Sequence, residues 1–141
     1  LLGKRVSDFF AGGGTQVMVA GGNSSGLSRR NDSNVTFLGH IGSDRLYGLL
    51  VTSRHIVCRP GYTTLMELVS LGRTATLVPT PGQTEQEYLA AYLSSSGWFA
   101  RISQDDIANL SLDERADIDN STKFRSESSE LLSSVLSDIL K

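Results

Sequence analysis

The chain has 141 residues and a mass of 15.2 kDa, with 39% hydrophobic and 20% charged residues, which suits one domain and excludes a mainly disordered chain. Its net charge of −2 divides into +3 over residues 1–102 and −5 over residues 103–141; a body this weakly basic is too little charged for nucleic acid and suits a small anionic ligand. The lone Cys58 excludes internal disulfides and multi-cysteine metal sites, His40 and His55 add no structural zinc set, and no apolar run approaches the ~20 residues of a spanning helix.

In chain order, residues 1–11 read as a helix, with Leu2, Val6, Phe9 and Phe10 at helical spacing and Gly12-Gly13-Gly14 as its stop. The basic pair Lys4-Arg5 follows a very short apolar start, so no signal peptide is expected. Val17–Ala20 reads as a buried strand, a polar loop runs to Asn34, and Val35–Leu38 is a second strand. Ser43 is expected to cap a helix reaching Ser53, and His55–Cys58 to form a third strand. A helix starting at Thr63 or Thr64 should end at Gly72. Thr76–Val78 is a fourth strand. Thr84 and Glu87 have the spacing of a capping box opening a helix to Ser96. Trp98–Ile102 is a fifth strand, followed by a short helix from Ser103. Leu131, Leu132, Val135, Leu136, Ile139 and Leu140 recur at helical spacing in a serine-rich end. The alternation predicts an α/β domain with a Rossmann-like parallel sheet and helices on both faces, over residues 1–116, followed by an amphipathic helix over 117–141. A helix in first place and the absence of an initiator methionine suggest a piece of a longer protein, its first strand missing.

Ligands in open parallel sheets bind beyond the carboxyl ends of strands, which directs attention to three loops. The first, Arg59-Pro60-Gly61-Tyr62-Thr63-Thr64, joins a strand to a helix. It reads equally as a diphosphate site, with Glu67 one turn on for a ribose diol, or as a tight turn with a threonine cap and a solvated glutamate. The second, Pro79 to Glu87, is stiffened by Pro79 and Pro81. Its Gln86 and Glu87 suit sugar hydroxyls; alternatively Glu87 only caps Thr84 and Gln86 is surface. The third, Gly39-His40-Ile41-Gly42, offers backbone beside Ile41 to a base edge, or merely exposes His40.

Cys58 to Leu68, then Leu71-Gly72, Val78-Pro79 and Gln86-Glu87-Tyr88, together resemble the C-terminal, donor-binding domain of glycosyltransferase family 28, a family that includes the bacterial GlcNAc transferase of peptidoglycan synthesis. The resemblance covers roughly residues 17–110. It implies the C-terminal half of a GT-B fold and an inverting transferase that uses a UDP-sugar, UDP-GlcNAc above all, on a lipid-linked or envelope glycan acceptor. It implies Glu67 against the ribose, Thr63 and Thr64 around the diphosphate with Arg59, Gly61 and Tyr62 in the same turn, and Gln86 and Glu87 on the sugar beside Gln83 and Thr84. Ile41 falls near the backbone that reads uracil. Glu87 departs from the commoner Gln-Gln pair, and Pro60 replaces a commoner serine. No cofactor and no metal are implied, since helix-end amides neutralise the leaving diphosphate. The acceptor and the catalytic base are implied to belong to an absent N-terminal domain, so the fragment alone is expected to be inactive. The parent is expected in the cytoplasm, or peripheral at the inner face of the membrane through its acceptor. The alternatives are a UDP-sugar hydrolase, with His40 as its base, and a non-catalytic subunit docking through residues 131–140.

Overall fold

A computed structural model of the chain describes residues 2–11, 13, 17–20, 34–110, 134 and 137. The expected 116/117 boundary and nearly all of the expected loop over 21–34 and helix over 117–141 lie outside these residues. Two compact units emerge: one of Leu1–Leu49 with Gln104–Leu110, the other built on Leu50–Ser103. The elements are α1 (Leu2–Phe10), β1 (Val17–Ala20), β2 (Val35–Leu38), α2 (Ser43–Thr52), β3 (Val57–Cys58), α3 (Tyr62–Ser70), β4 (Thr76–Leu77), α4 (Thr84–Ser95) and β5 (Ala100–Arg101), then a 3₁₀ turn at Asp105–Asn109. Helices and strands alternate, and every strand pair is parallel, so the class is α/β as the sequence predicts.

The described strands form two sheets rather than one. In the first unit β1 pairs with β2, Val17 opposite Val35 and Ala20 opposite Leu38. Asn34, buried just before β2, ties this sheet to the helix before it. Its carbonyl accepts the Val17 N–H at 2.8 Å and its side-chain amide donates to the Phe10 carbonyl at 2.6 Å, satisfying buried polar groups. Arg5 of α1 donates to the Gln104 carbonyl at 3.0 Å and pairs with Asp105 at 2.8 Å; the pair is exposed and adds little stability.

In the second unit the order is β3-β4-β5, with α3 and α4 as the two crossovers. Leu65, Leu68 and Val69 of α3 and Leu89, Ala90 and Leu93 of α4 are buried, as are Leu77, Val78 and Phe99, so each helix contributes one apolar stripe to the core. The strands are shorter than predicted, two residues each. Ahead of β4, Gly72 (φ +63) closes α3 as a Schellman motif, its N–H donating to the Val69 carbonyl and that of Arg73 to the Leu68 carbonyl. Behind β4 stands Pro79, which has no N–H for the ladder.

Both helix starts differ from expectation. Helix α3 opens at Tyr62, before the threonines, because extended Gly61 (φ −88°, ψ 142°) takes the cap position and its carbonyl accepts the Leu65 N–H at 2.9 Å. The capping box at Thr84 is not formed: Gln83 is the cap residue and no side chain caps it. Thr80 to Gln83 form a turn closed by Gln83 N–H on the Thr80 carbonyl at 3.0 Å, with Gly82 at φ +81°, which displaces the helix start by one residue.

Helix α1 approaches β1 through Gly3, where an added Cβ would lie 2.7 Å from Val19 Cγ1. Valine is stiff and cannot swing away. Gly3→Ala should therefore cost about 1–3 kcal/mol, read as a lower urea midpoint at unchanged slope.

Candidate functional site

Because β3 and β4 are adjacent and parallel, the turns that leave them start from the same edge of the sheet. The ladder's last rung between these strands is the Val78 N–H on the Cys58 carbonyl at 2.9 Å. Beyond it a side chain takes over. Arg59 Nη1 donates to the Val78 and Pro79 carbonyls, both at 2.8 Å. Burial lowers its pKa from the ordinary arginine value, and the two carbonyl dipoles still hold the guanidinium in place.

Gly61 follows, its N–H bonded to the Arg59 carbonyl at 2.8 Å. This closes the expected tight turn about Pro60, although a φ of −88° is one any residue adopts, so backbone conformation does not demand glycine there. What glycine leaves is room: a Cβ at Gly61 would meet nothing within 4 Å. Helix α3 has no side-chain cap and no acidic residue in its first turn, so the amides of Tyr62, Thr63 and Thr64 and the positive dipole end face this space. Tyr62 and Thr63 are exposed, and Thr64 and Glu67 half-buried. Thr63 and Glu67 share the face away from Leu65, Leu68 and Val69, with Thr64 on its flank.

The second turn is held from α4. Gln86 Oε1 accepts the Thr80 N–H at 2.9 Å, which fixes the amide so that Nε2 donates to Gln83 Oε1. Glu87 Oε1 accepts the Gly82 N–H at 3.1 Å. Glu87 therefore braces the turn instead of capping with Thr84, which is exposed, as is Gln83. The inward role of Gln86 is legible in spacing that the sequence reading overlooked. Residues 86, 89, 90 and 93 form one stripe, so Gln86 lies in line with buried Leu89, Ala90 and Leu93 and must find partners. The next residue, Tyr88, stacks on Tyr92 with ring centroids 6.1 Å apart, and Tyr92 Oη lies 3.3 Å from Ser134 Oγ.

The remaining sequence candidates lie elsewhere. Ile41, half-buried, and His40, exposed, occupy the loop between β2 and α2 in the first unit. Cys58, at the end of β3, is half-buried, and desolvation pushes its thiol pKa up to about 12. His55, whose Nε2 lies 3.2 Å from Thr76 Oγ1, has its pKa lowered by burial. Among the described residues no group of His, Cys, Asp and Glu could hold a metal ion, and no helix is long and apolar enough to cross a membrane.

An edge of this kind, with an uncapped helix behind a glycine and a braced polar turn beside it, can take an anion at one end and hydroxyl groups at the other. The pattern of the glycosyltransferase family 28 C-terminal domain matches residues 43–135, more than half of the chain. The chain belongs to this family. It is 41% identical over 59 residues to the UDP-N-acetylglucosamine--N-acetylmuramyl-(pentapeptide) pyrophosphoryl-undecaprenol N-acetylglucosamine transferase of Rhodopseudomonas palustris (strain BisB18). That stretch is 40% of this chain and only 16% of the relative. No solved structure matches the chain. The matched residues, 43–135, take in the unit built on Leu50–Ser103.

Two outcomes follow from this geometry. Gly82→Ala forces a left-handed backbone on an L-residue where space is open, so it should cost about 1–2 kcal/mol, seen as a lower melting temperature with the turn amides shifted. At pH 8 a thiol with pKa about 12 is thiolate in only about one molecule in ten thousand, so native Cys58 should resist a disulfide reagent that reacts promptly in urea.

Proposed function

We propose that the edge formed by the turns after β3 and β4 binds the donor of an inverting glycosyltransferase, a UDP-sugar and specifically UDP-GlcNAc, for transfer to a lipid-linked acceptor. The observation that carries this reading is the uncapped start of α3 behind Gly61, set beside a polar turn braced by Gln86 and Glu87. Family membership supports glycosyl transfer, and the partial likeness to a transferase named for UDP-N-acetylglucosamine supports the choice of donor.

In this reading the diphosphate lies against the amides of residues 62–64, where fixed N–H dipoles neutralise charge at no reorganisation cost. Thr63 and Thr64 add hydroxyl donors, and the Glu67 carboxylate accepts from the ribose diol. Gln83, Thr84, Gln86 and Glu87 face the sugar with the hydrogen-bonding capacity that the turn leaves them. An acceptor hydroxyl oxygen attacks the anomeric carbon, the bond from that carbon to the β-phosphate oxygen breaks, and UDP leaves with the electron pair. A base in a separate acceptor domain takes the hydroxyl proton. Helix-end amides do the work of charge neutralisation, so the reaction needs no metal. The acceptor draws the whole protein to the inner membrane face, and the present chain alone binds donor without transferring it.

Titration of the chain with UDP, UDP-GlcNAc, ADP and GDP, followed by amide NMR shifts, tests this reading. Uridine-selective shifts should cluster at residues 59–67 and 82–87. Glu67→Ala should weaken UDP about tenfold or more, the scale of a hydrogen bond to a charged group. Gly61→Ala should change stability by less than about 1 kcal/mol yet weaken UDP strongly, because its methyl enters the space left for the ligand. Unchanged UDP affinity in both variants would overturn the assignment.

A further inference from the structure

The carbonyls of Val78 and Pro79 pose a problem at the site edge. They lie beyond the last rung of the ladder, and Pro60, whose place in the register would next donate to the Val78 carbonyl from the β3 side, has no N–H. Left alone, they would present two negative dipole ends beside the turn that leads into α3. Arg59 Nη1 spends both of its hydrogens on them. The fork geometry matters here: two acceptors on consecutive residues are held at equal distance by one nitrogen of a planar, pre-organised cation, which a lysine on a flexible stem does not reproduce.

The bonds continue without a gap. Arg59 holds the Val78 and Pro79 carbonyls, the next residue's N–H (Thr80) is held by Gln86, Gln86 holds Gln83, and the Gly82 N–H is held by Glu87. On the other side, the Arg59 carbonyl holds the Gly61 N–H at the cap of α3. One residue thus connects the turn ahead of α3 through its backbone to the turn ahead of α4 through its side chain.

We infer that Arg59 is a positioning residue that sets the turn Thr80–Gln83, with Gln83, Gln86 and Glu87, at a fixed distance from the start of α3, and so couples recognition of the sugar to recognition of the diphosphate. This rests on the donor-binding reading above. It assigns Arg59 an action through other residues: its guanidinium serves the sheet edge and its neighbours, and the sugar end of the ligand registers its loss although Arg59 does not touch the sugar. A displacement of about 1 Å in a positioning group is enough to cost roughly a hundredfold in a well-aligned site.

The test uses the full chain, wild type and Arg59→Lys, with uridine, UDP and UDP-GlcNAc as probes. In the ligand-free variant, amide shifts should change at residues 78–87 and stay near wild type at 65–70. On titration, the advantage of UDP-GlcNAc over UDP should fall about tenfold or more, with a smaller change for UDP itself. A second measurement needs no variant: in wild type the Arg59 guanidinium protons should already be protected from exchange before ligand is added, and should shift little when UDP binds. Three results would overturn the inference. One is unmoved amides at 78–87 in the variant. Another is an equal loss for UDP and UDP-GlcNAc with uridine unaffected, which marks direct phosphate contact. The last is unprotected guanidinium protons that respond only to UDP. Failure of the underlying reading is recognisable separately: wild-type chain would then bind none of the three probes while its Arg59 protons remained protected, leaving Arg59 a purely structural clamp and removing any role in coupling.

Discussion

The rung from the Val78 N–H to the Cys58 carbonyl is where backbone pairing between β3 and β4 ends, and the arrangement of the site follows from that end. A parallel ladder fixes two strands in register only as far as each residue has both a donor and an acceptor to offer. Pro60, next in register to donate to the Val78 carbonyl, has no N–H, so pairing stops there and the two chains are free to turn into α3 and α4. What keeps them together afterwards is side-chain chemistry, namely the Arg59 fork and the bonds made by Gln86 and Glu87. The core beneath, with Leu68, Leu77, Val78, Leu89 and Phe99 fully buried, is a rigid floor for those few polar contacts.

Much of this was legible in the residues. Strand positions Val17–Ala20 and Val35–Leu38 stand out as short β-branched and apolar runs, and both are found within those bounds, although Val17–Ala20 alternates between half-buried and exposed instead of being buried as expected. Gly72 was readable as a helix stop because glycine alone adopts the left-handed turn without strain. The first-turn chemistry was less legible. Thr63, Thr64 and Thr84 look like caps by residue type, yet Gly61 and Gln83 take the cap positions. The reason is tertiary: where a helix starts here is decided by the turn that leaves the sheet, and local hydroxyls do not override it. Gln86 and Glu87 showed the same limitation, since their inward bonds depend on a turn whose course is set by Gly82.

The chemistry available at this edge comes mostly from main-chain groups. Amides at the start of α3 supply donors whose direction is set by the helix, and their geometry does not depend on any rotamer. Under the proposed reading such a site suits a glycosyl donor, which carries its charge in a diphosphate and its identity in hydroxyls. The two ends of such a ligand ask for different things: fixed dipoles for the charge, adaptable amide and carboxylate side chains for the sugar. In the proposed reading the two turns divide along that line.

The half-buried Cys58 has a practical side. It is the single cysteine of the chain, and it lies at the foot of the turn into α3 with its thiol held in the unreactive form. A cysteine introduced at exposed Thr63 or Tyr88 would then carry a fluorophore or spin label without removal of the native thiol. Distances between such labels would report how far the two turns move apart or together in solution, with the protein's own sulfur remaining silent.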